Sequence, residues 1–362
     1  MFSPDFNPLL EVLKNHTDSS GNVSWNALIS EVKTMALLFA GKAEMSHKGT
    51  AIEEMMKKMA ESQGEEVAWQ AAIGTDPIKD AFEVKKFAHA SGDAQIVPPP
   101  FVPMASDLLV NTKRTTRSAA YINVPFCQTR CAFCMFYIGA YKPEESKRYT
   151  DALIKEIRMW QGSKALEDKP IHAVYMGGGT PTALEACDLE RIITTCREVL
   201  PLSNDYEFTV EGRISFFDDE KIEACLKAGA NRFSLGVQTF DTEIRQSVGR
   251  LSTKDELIRG LENLSAYDES SVVIDLIFGL PGQTETTWRE DLDIVSSLPI
   301  HGVDLYQLIL LEGSPLQKLI KAGKYKHAPD NRERAEMYRI GCNVMEKAHW
   351  KQLSVSHFGR NT

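Results

Sequence analysis

Residues 119–142 read AAYINVPFCQTRCAFCMFYIGAYK: a short apolar and aromatic run, a proline, and then three cysteines within eight positions. The run AAYINV has the composition of a strand. Cys127, Cys131 and Cys134 follow it with C-x3-C-x2-C spacing, which brings three sulfurs to one locus if the segment is a loop wrapped around a metal centre. Cys187, Cys196, Cys225 and Cys342 stand singly in helix-like segments, unlike the dense framework of a secreted disulfide scaffold. In a reducing compartment the trio therefore reads as a metal site.

Downstream, short β-branched runs alternate with longer amphipathic stretches. The strands predicted after AAYINV are IHAVYM, YEFTV, RFSLGV, VVIDLIF and GVDLYQLIL, with helices starting near Glu144, Glu185, Asp218, Thr253 and Thr284. Such βα repeats imply a parallel sheet, because parallel neighbours need crossover helices. The expected fold class is α/β: a partial (β/α)6 TIM-like barrel, with chemistry collected at the carboxyl ends of its strands.

Around this core, expected at 116–320, the sequence predicts a helical N-terminal extension over 1–78 and a linker over 79–115. The linker's Pro98, Pro99, Pro100 and Pro103 preclude a helix. Residues 321–362 predict the start of a truncated C-terminal helical domain, since LSVSHFGRNT is a strand-like run without a closing helix. The 362 residues are 43% apolar and 25% charged, the composition of an ordinary soluble globular protein. With 41 basic against 50 acidic residues the net charge is −9, which argues against a nucleic-acid partner. No basic-then-apolar leader and no run of ~18 apolar residues points to a membrane. The expected location is cytoplasmic.

A structural zinc site needs four ligands, and His172, the nearest candidate, is expected at the opposite end of the sheet from the cysteine loop. An iron–sulfur cubane held by three thiolates leaves one iron open to a substrate or cofactor. Further polar residues gather at successive strand ends. YMGGGTPT (175–182) permits close backbone approach to a ligand. FTVEGRISF places Glu211 where a carboxylate could accept two ribose hydroxyls or pair with Arg213. Gln238 ends the fourth strand and Arg250 follows it. Asp275 interrupts a very apolar strand, where an unpaired carboxylate is costly.

C-x3-C-x2-C after the first strand, with Phe133 before the last cysteine, resembles the radical SAM superfamily. That resemblance implies a [4Fe-4S] cluster on Cys127, Cys131 and Cys134, its open iron binding the amino and carboxylate groups of S-adenosylmethionine (SAM). One electron then cleaves the sulfonium, yielding methionine and a 5'-deoxyadenosyl radical. The strings Y-x-N-V-P-F-C, GGGTPT, NRFSLGVQTF, IDLIFGLPGQT and DLYQL, in that order, look like the coproporphyrinogen III dehydrogenase-like (HemN/HemW) branch. By that resemblance Tyr121, Phe133, Gly178, Gly179, Thr180, Glu211, Gln238, Arg250, Asp275 and Ile309 contact SAM. Some members bind a second SAM, with Gly179, Thr180 and Ile309 among its contacts.

Phe136 stands where the dehydrogenase proper has a further cysteine. VEGRISF, NRFSLGVQTFD and DLYQLILLEGSPL look most like the anaerobic heme-degrading methyltransferases of the ChuW/HutW group. What this implies is oxygen-independent opening of the heme macrocycle, carbon transfer from SAM, and release of iron and a linear tetrapyrrole. A low-potential flavodoxin or ferredoxin would be the electron donor. The alternatives are a HemW-like heme chaperone and an oxygen-independent coproporphyrinogen III dehydrogenase. Arg213 and Arg232 could meet propionates or the SAM carboxylate, or make internal salt bridges. His89, His301, His327 and His357 read as structural, and the Met-rich MSHKGTAIEEMMKKM reads as core filler.

Overall fold

The computed structural model describes residues 110–360, apart from 168, 311, 312 and 326, together with Asp107. These lie in the compact unit Gln95–Thr362. The expected helical extension, the four linker prolines, the Met-rich segment and His89 lie outside the described residues.

The chain enters on strand β1 (Ser118–Val124), and the cysteine loop follows, pinned by the two-residue strands β2 (Phe126–Cys127) and β3 (Gly139–Ala140). Helix α1 (Pro143–Met159) leads to β4 (Ile171–Gly178), α2 (Ala186–Val199) to β5 (Leu202–Gly212), and α3 (Asp219–Ala228) to β6 (Arg232–Gln238). Two helices, α4 (Thr242–Ser247) and α5 (Lys254–Ala266), precede β7 (Ser271–Phe278); α6 (Glu285–Ser297) then leads to β8 (Gly302–Gln307). The chain closes with α7 (Pro315–Lys321), α8 (Asn331–Lys347), β9 (Lys351–Gln352) and β10 (His357–Gly359).

The six long strands pair in parallel in the order β1-β4-β5-β6-β7-β8, an open partial barrel. The helix starts have local causes. Asp218, Thr253 and Thr284 each accept a hydrogen bond from the backbone N–H three residues on, and Thr253 and Glu256 complete a capping box. Pro143 sits in the first turn of α1, where its missing N–H costs nothing.

Three departures from the sequence reading stand out. Helix α4 was not expected; DTEIRQS is too short for its periodicity to register. The last predicted strand, GVDLYQLIL, stops at Gln307; Leu308 N–H still donates to Phe278 O at 2.9 Å, but its side chain packs with Ile244, Val248, Leu280 and Leu316 under the cysteine loop. The final run joins the sheet itself: β10 pairs antiparallel with β8, and β9 with β10.

Strand residues alternate between two environments, as the pleat requires. Val174, Met176, Phe208, Val210, Phe233, Leu235, Ile274 and Val303 are buried in the main core with α2, α3, α5 and α6. The opposite positions are polar: Tyr121, Tyr175, Thr209, Glu211, Ser234, Asp275, Asp304 and Tyr306. One face of the sheet is thus devoted to packing and the other is free for chemistry. Trp288 on α6 anchors the packed side, fully buried, its ring 5.8 Å from that of Phe278 and its indole N–H donating to the Met337 carbonyl at 2.7 Å. Trp288→Ala is expected to cost about 3–5 kcal/mol. It should lower the melting temperature by on the order of 10 °C in a far-UV circular dichroism melt.

Candidate active site

The cysteine loop is held from several sides. Pairing of β2 with β3 fixes its start, where Tyr141 N–H donates to the Cys127 carbonyl at 3.0 Å. In its middle, Ala132 N–H donates to Val248 O, and Ala132 O accepts from Leu316 N–H, both at 2.9 Å. Cys127 and Cys131 are buried and Cys134 is half-buried, and all three are free thiols. Burial pushes the Cys134 thiol up, and charge on Cys131 and Cys127 adds to it, so the three sulfurs share one electrostatic neighbourhood. Among the described residues no three His, Cys, Asp or Glu side chains stand as a formed metal group. The trio is a set of donors on one clamped loop.

The glycine turn is zipped to the strand that feeds this loop. Gly179 N–H donates to Val124 O and Thr180 N–H to Phe126 O, both at 2.7 Å, and the Thr180 hydroxyl donates to Cys127 Sγ at 3.5 Å. Side chains have no room here: a Cβ on Gly179 would lie 2.5 Å from Phe126 O and 2.7 Å from Val124 O.

Glu211, at the end of β5, accepts from Tyr175 Oη at 2.9 Å and from Gly178 N–H at 3.1 Å. Tyr121, 59% exposed as a residue, stacks on Tyr175 with ring centroids 6.1 Å apart. The alternative pairing of Glu211 with Arg213 is not what forms. Arg213 turns to the cysteine loop, donating to Cys131 Sγ at 3.1 Å, Thr129 O at 3.2 Å and Thr129 Oγ1 at 2.6 Å. Arg232 instead lies 3.8 Å from Glu207 and donates to Thr209 at 3.2 Å.

Gln238 ends β6 with φ 75°, a left-handed backbone rare outside glycine, at a cost on the order of 1–3 kcal/mol. Its side chain is buried and its Oε1 has no hydrogen-bond partner among the described residues. The same is true of Arg250 Nε, although Arg250 Nη1 donates to Gly236 O at 3.1 Å and its guanidinium lies 5.8 Å from the Phe133 ring centroid. A buried acceptor and a buried donor, both unmet, fit a polar ligand seated between the cysteine loop and β6. Three thiols, a glycine cradle and two orphaned polar groups match the donor set that a cluster and SAM require.

Asp275 on β7 is in register with Gly236 and with Asp304 on β8. Desolvation pushes its carboxyl up to about 7, with Asp304 and Glu211 adding repulsion against the pull of Arg250 and Arg232. An acid with a raised folded-state pKa contributes stability that is present in full below its ordinary range and is lost as pH rises through about 7. Asp275→Asn is therefore expected to raise the melting temperature more at about pH 8 than at about pH 5. An equal gain at both would mean that the carboxylate is not desolvated.

Ile309 lies two residues beyond the end of β8 and is 70% exposed. The histidines take structural partners: His172 lies 3.7 Å from Asp205, His301 accepts from Val272 N–H, His327 lies 3.2 Å from Glu333, and His357 meets Asp304 at 2.9 Å. Tyr175 escaped the sequence reading, although its alternation with Gly177 places it on the face of Glu211. Thr182, whose Oγ1 accepts from Arg213 N–H at 3.1 Å, left no signal beyond its place in the TPT turn.

Residues 121–295 match the model of the Radical SAM superfamily, and the chain belongs to that superfamily. It is 44% identical over 292 residues to an anaerobilin synthase of Escherichia coli O157:H7, covering 81% of this chain and 65% of that protein. It is 32% identical over 242 residues to the heme chaperone HemW of Lactococcus lactis subsp. lactis (strain IL1403), covering 67% of this chain and 62% of the chaperone. The chain thus spans less than two thirds of either relative. Coproporphyrinogen III oxidase (HemN) from Escherichia coli superposes with a TM-score of 0.61 at 24% identity, over 71% of this chain and 58% of that one, a likeness of fold. Membership implies a [4Fe-4S] cluster and SAM. No helix among the described residues is long and apolar enough to cross a membrane.

Proposed function

We propose that the protein is a radical SAM methyltransferase that opens the heme macrocycle without oxygen, transfers a carbon from SAM, and releases iron and a linear tetrapyrrole. Cys127, Cys131 and Cys134 would hold the cluster. Tyr121, Phe133, Gly178, Gly179, Thr180, Glu211, Gln238, Arg250, Asp275 and Ile309 would hold SAM. When bound, the pair supplies one-electron cleavage of a sulfonium and a carbon to transfer; the protein supplies position and exclusion of water.

The observation that carries this reading is the 44% identity to a protein named anaerobilin synthase. Surface chemistry supports it. Tyr121, Met135, Phe136, Ile138, Tyr306 and Ile309 are all exposed, at 45% or more, and all fall on the cysteine loop or on the β1 and β8 strands and the turn after β8. Exposed apolar side chains on the cysteine loop itself, Met135, Phe136 and Ile138, offer contact area beside the cluster ligands. Glu211, held by Tyr175 and Gly178, would meet a ribose, and Arg250 Nε would donate to a carboxylate. Ile309 would serve a second SAM, with Gly179 and Thr180. A low-potential flavodoxin or ferredoxin would deliver the electron, and the free cysteines suit a cytoplasmic location.

The identity to HemW favours a second reading, a heme chaperone that keeps the cluster and passes heme on intact. Anaerobic incubation of the full-length protein with heme, SAM and a reductant separates the two. The first reading expects loss of the Soret band, 5'-deoxyadenosine, and a methylated open-chain product by mass spectrometry. Heme that keeps its absorbance and moves to an acceptor protein would establish the second.

A further inference from the structure

We propose that Arg213 tunes the reduction potential of the cluster, through a charge-assisted hydrogen bond from its guanidinium to the sulfur of the ligand Cys131. This rests on the assignment of the cysteine trio to a [4Fe-4S] cluster and goes beyond it, to what sets the ease of electron entry. Arg213 follows the last residue of β5 and is 8% exposed. Its main-chain N–H is fixed by Thr182 Oγ1 at 3.1 Å, and its guanidinium donates to Cys131 Sγ, Thr129 O and Thr129 Oγ1 at 3.1, 3.2 and 2.6 Å. Among the described residues, every acceptor of that guanidinium belongs to the cysteine loop.

The charge balance gives the arrangement its meaning. Glu211, two residues away, is occupied by Tyr175 and Gly178, and Arg213 makes no ion pair with a carboxylate among the described residues. A buried guanidinium without a carboxylate is costly unless other negative charge is at hand. Three thiolates on a doubly positive cubane carry net charge −1, and one electron from an external donor makes it −2. A fixed cation on a ligand sulfur favours the second state over the first. The Thr180 hydroxyl on Cys127 at 3.5 Å and the backbone N–H groups of Phe136 and Tyr137 that face Cys134 are neutral donors.

The test is an electron-paramagnetic-resonance redox titration of the anaerobically reconstituted full-length protein, alongside iron content. For Arg213→Gln the reduced-to-oxidised ratio at a fixed potential is expected to fall about tenfold, a midpoint about 59 mV more negative for a one-electron couple. Arg213→Lys keeps the charge and loses the planar fork, so its midpoint should fall between the two. Wild-type iron content with an unchanged Arg213→Gln midpoint overturns the inference and leaves the cluster intact. Wild-type protein that takes up no iron overturns the cluster assignment itself. Should Arg213→Gln fail to hold iron, Arg213→Lys decides: a midpoint below wild type supports the inference, and one equal to wild type ends it.

Discussion

Cys131→Ser is expected to yield a folded protein with almost no iron and no reductive cleavage of SAM. Cys131 is 2% exposed and accepts from Arg213, so its sulfur is the most enclosed of the three. A serine oxygen is a far poorer partner than thiolate for a cubane iron. The loop does not depend on that sulfur for its shape. The backbone bonds of Ala132 to Val248 and Leu316 persist, as does the apolar cluster of Ile244, Val248, Leu280, Leu308 and Leu316. Far-UV circular dichroism should be unchanged while the iron content of reconstituted protein drops from about four to near zero. Cys225→Ser, in the core of α3, supplies the contrast: stability falls and iron stays. A Cys131→Ser protein that retains iron and turnover would remove the trio from the mechanism.

Gly179→Ala is expected to abolish tight SAM binding and to destabilise the fold. Its Cβ would meet the carbonyl oxygens of Phe126 and Val124 at 2.5 and 2.7 Å. Both atoms are backbone, and both already accept hydrogen bonds from this turn, so relief requires prising the end of β1 from the end of β4. Overpacking of this kind costs about 1–3 kcal/mol, with roughly 1 kcal/mol more for each backbone bond lost. Gly178→Ala gives a useful comparison. There the first obstacle is the Asn123 side chain, which can rotate, though the φ of 103° still disfavours any Cβ. Calorimetric titration with SAM should find Gly179→Ala the weaker binder; wild-type affinity would refute the turn's assigned role.

How much of this was legible depends on the range of the interactions. The six strands and most helix starts are local events, written in period-two apolar runs and in caps such as Asp218, Thr253 and Thr284, and they emerge where expected. The C-x3-C-x2-C spacing is local as well. What the sequence hid is non-local. Arg213 and Cys131 are 82 residues apart, and nothing near VEGRISF says that the arginine prefers sulfur to the neighbouring Glu211. The left-handed backbone of Gln238 follows from the irregular register between β6 and β7, which no side chain announces. The run after Tyr306 misled because leucines that pack beneath a loop look the same as leucines in a strand.

The strand order has a consequence for how the molecule is made. Each long strand lies beside its predecessor in the chain, so the sheet can grow in the direction of synthesis, every new βα unit docking on one already emerged. The cysteine loop, the glycine turn and Arg213 belong to the first three units. Gln238, Arg250 and Asp275 arrive with the next two. At about 5–20 residues per second the segments that carry the thiols and Arg213 emerge several seconds before Val248 and Leu316, whose backbone bonds to Ala132 hold the middle of the loop. The start of the loop, paired through β2 and β3, can thus form early, while its middle gains its clamps only as the later units dock.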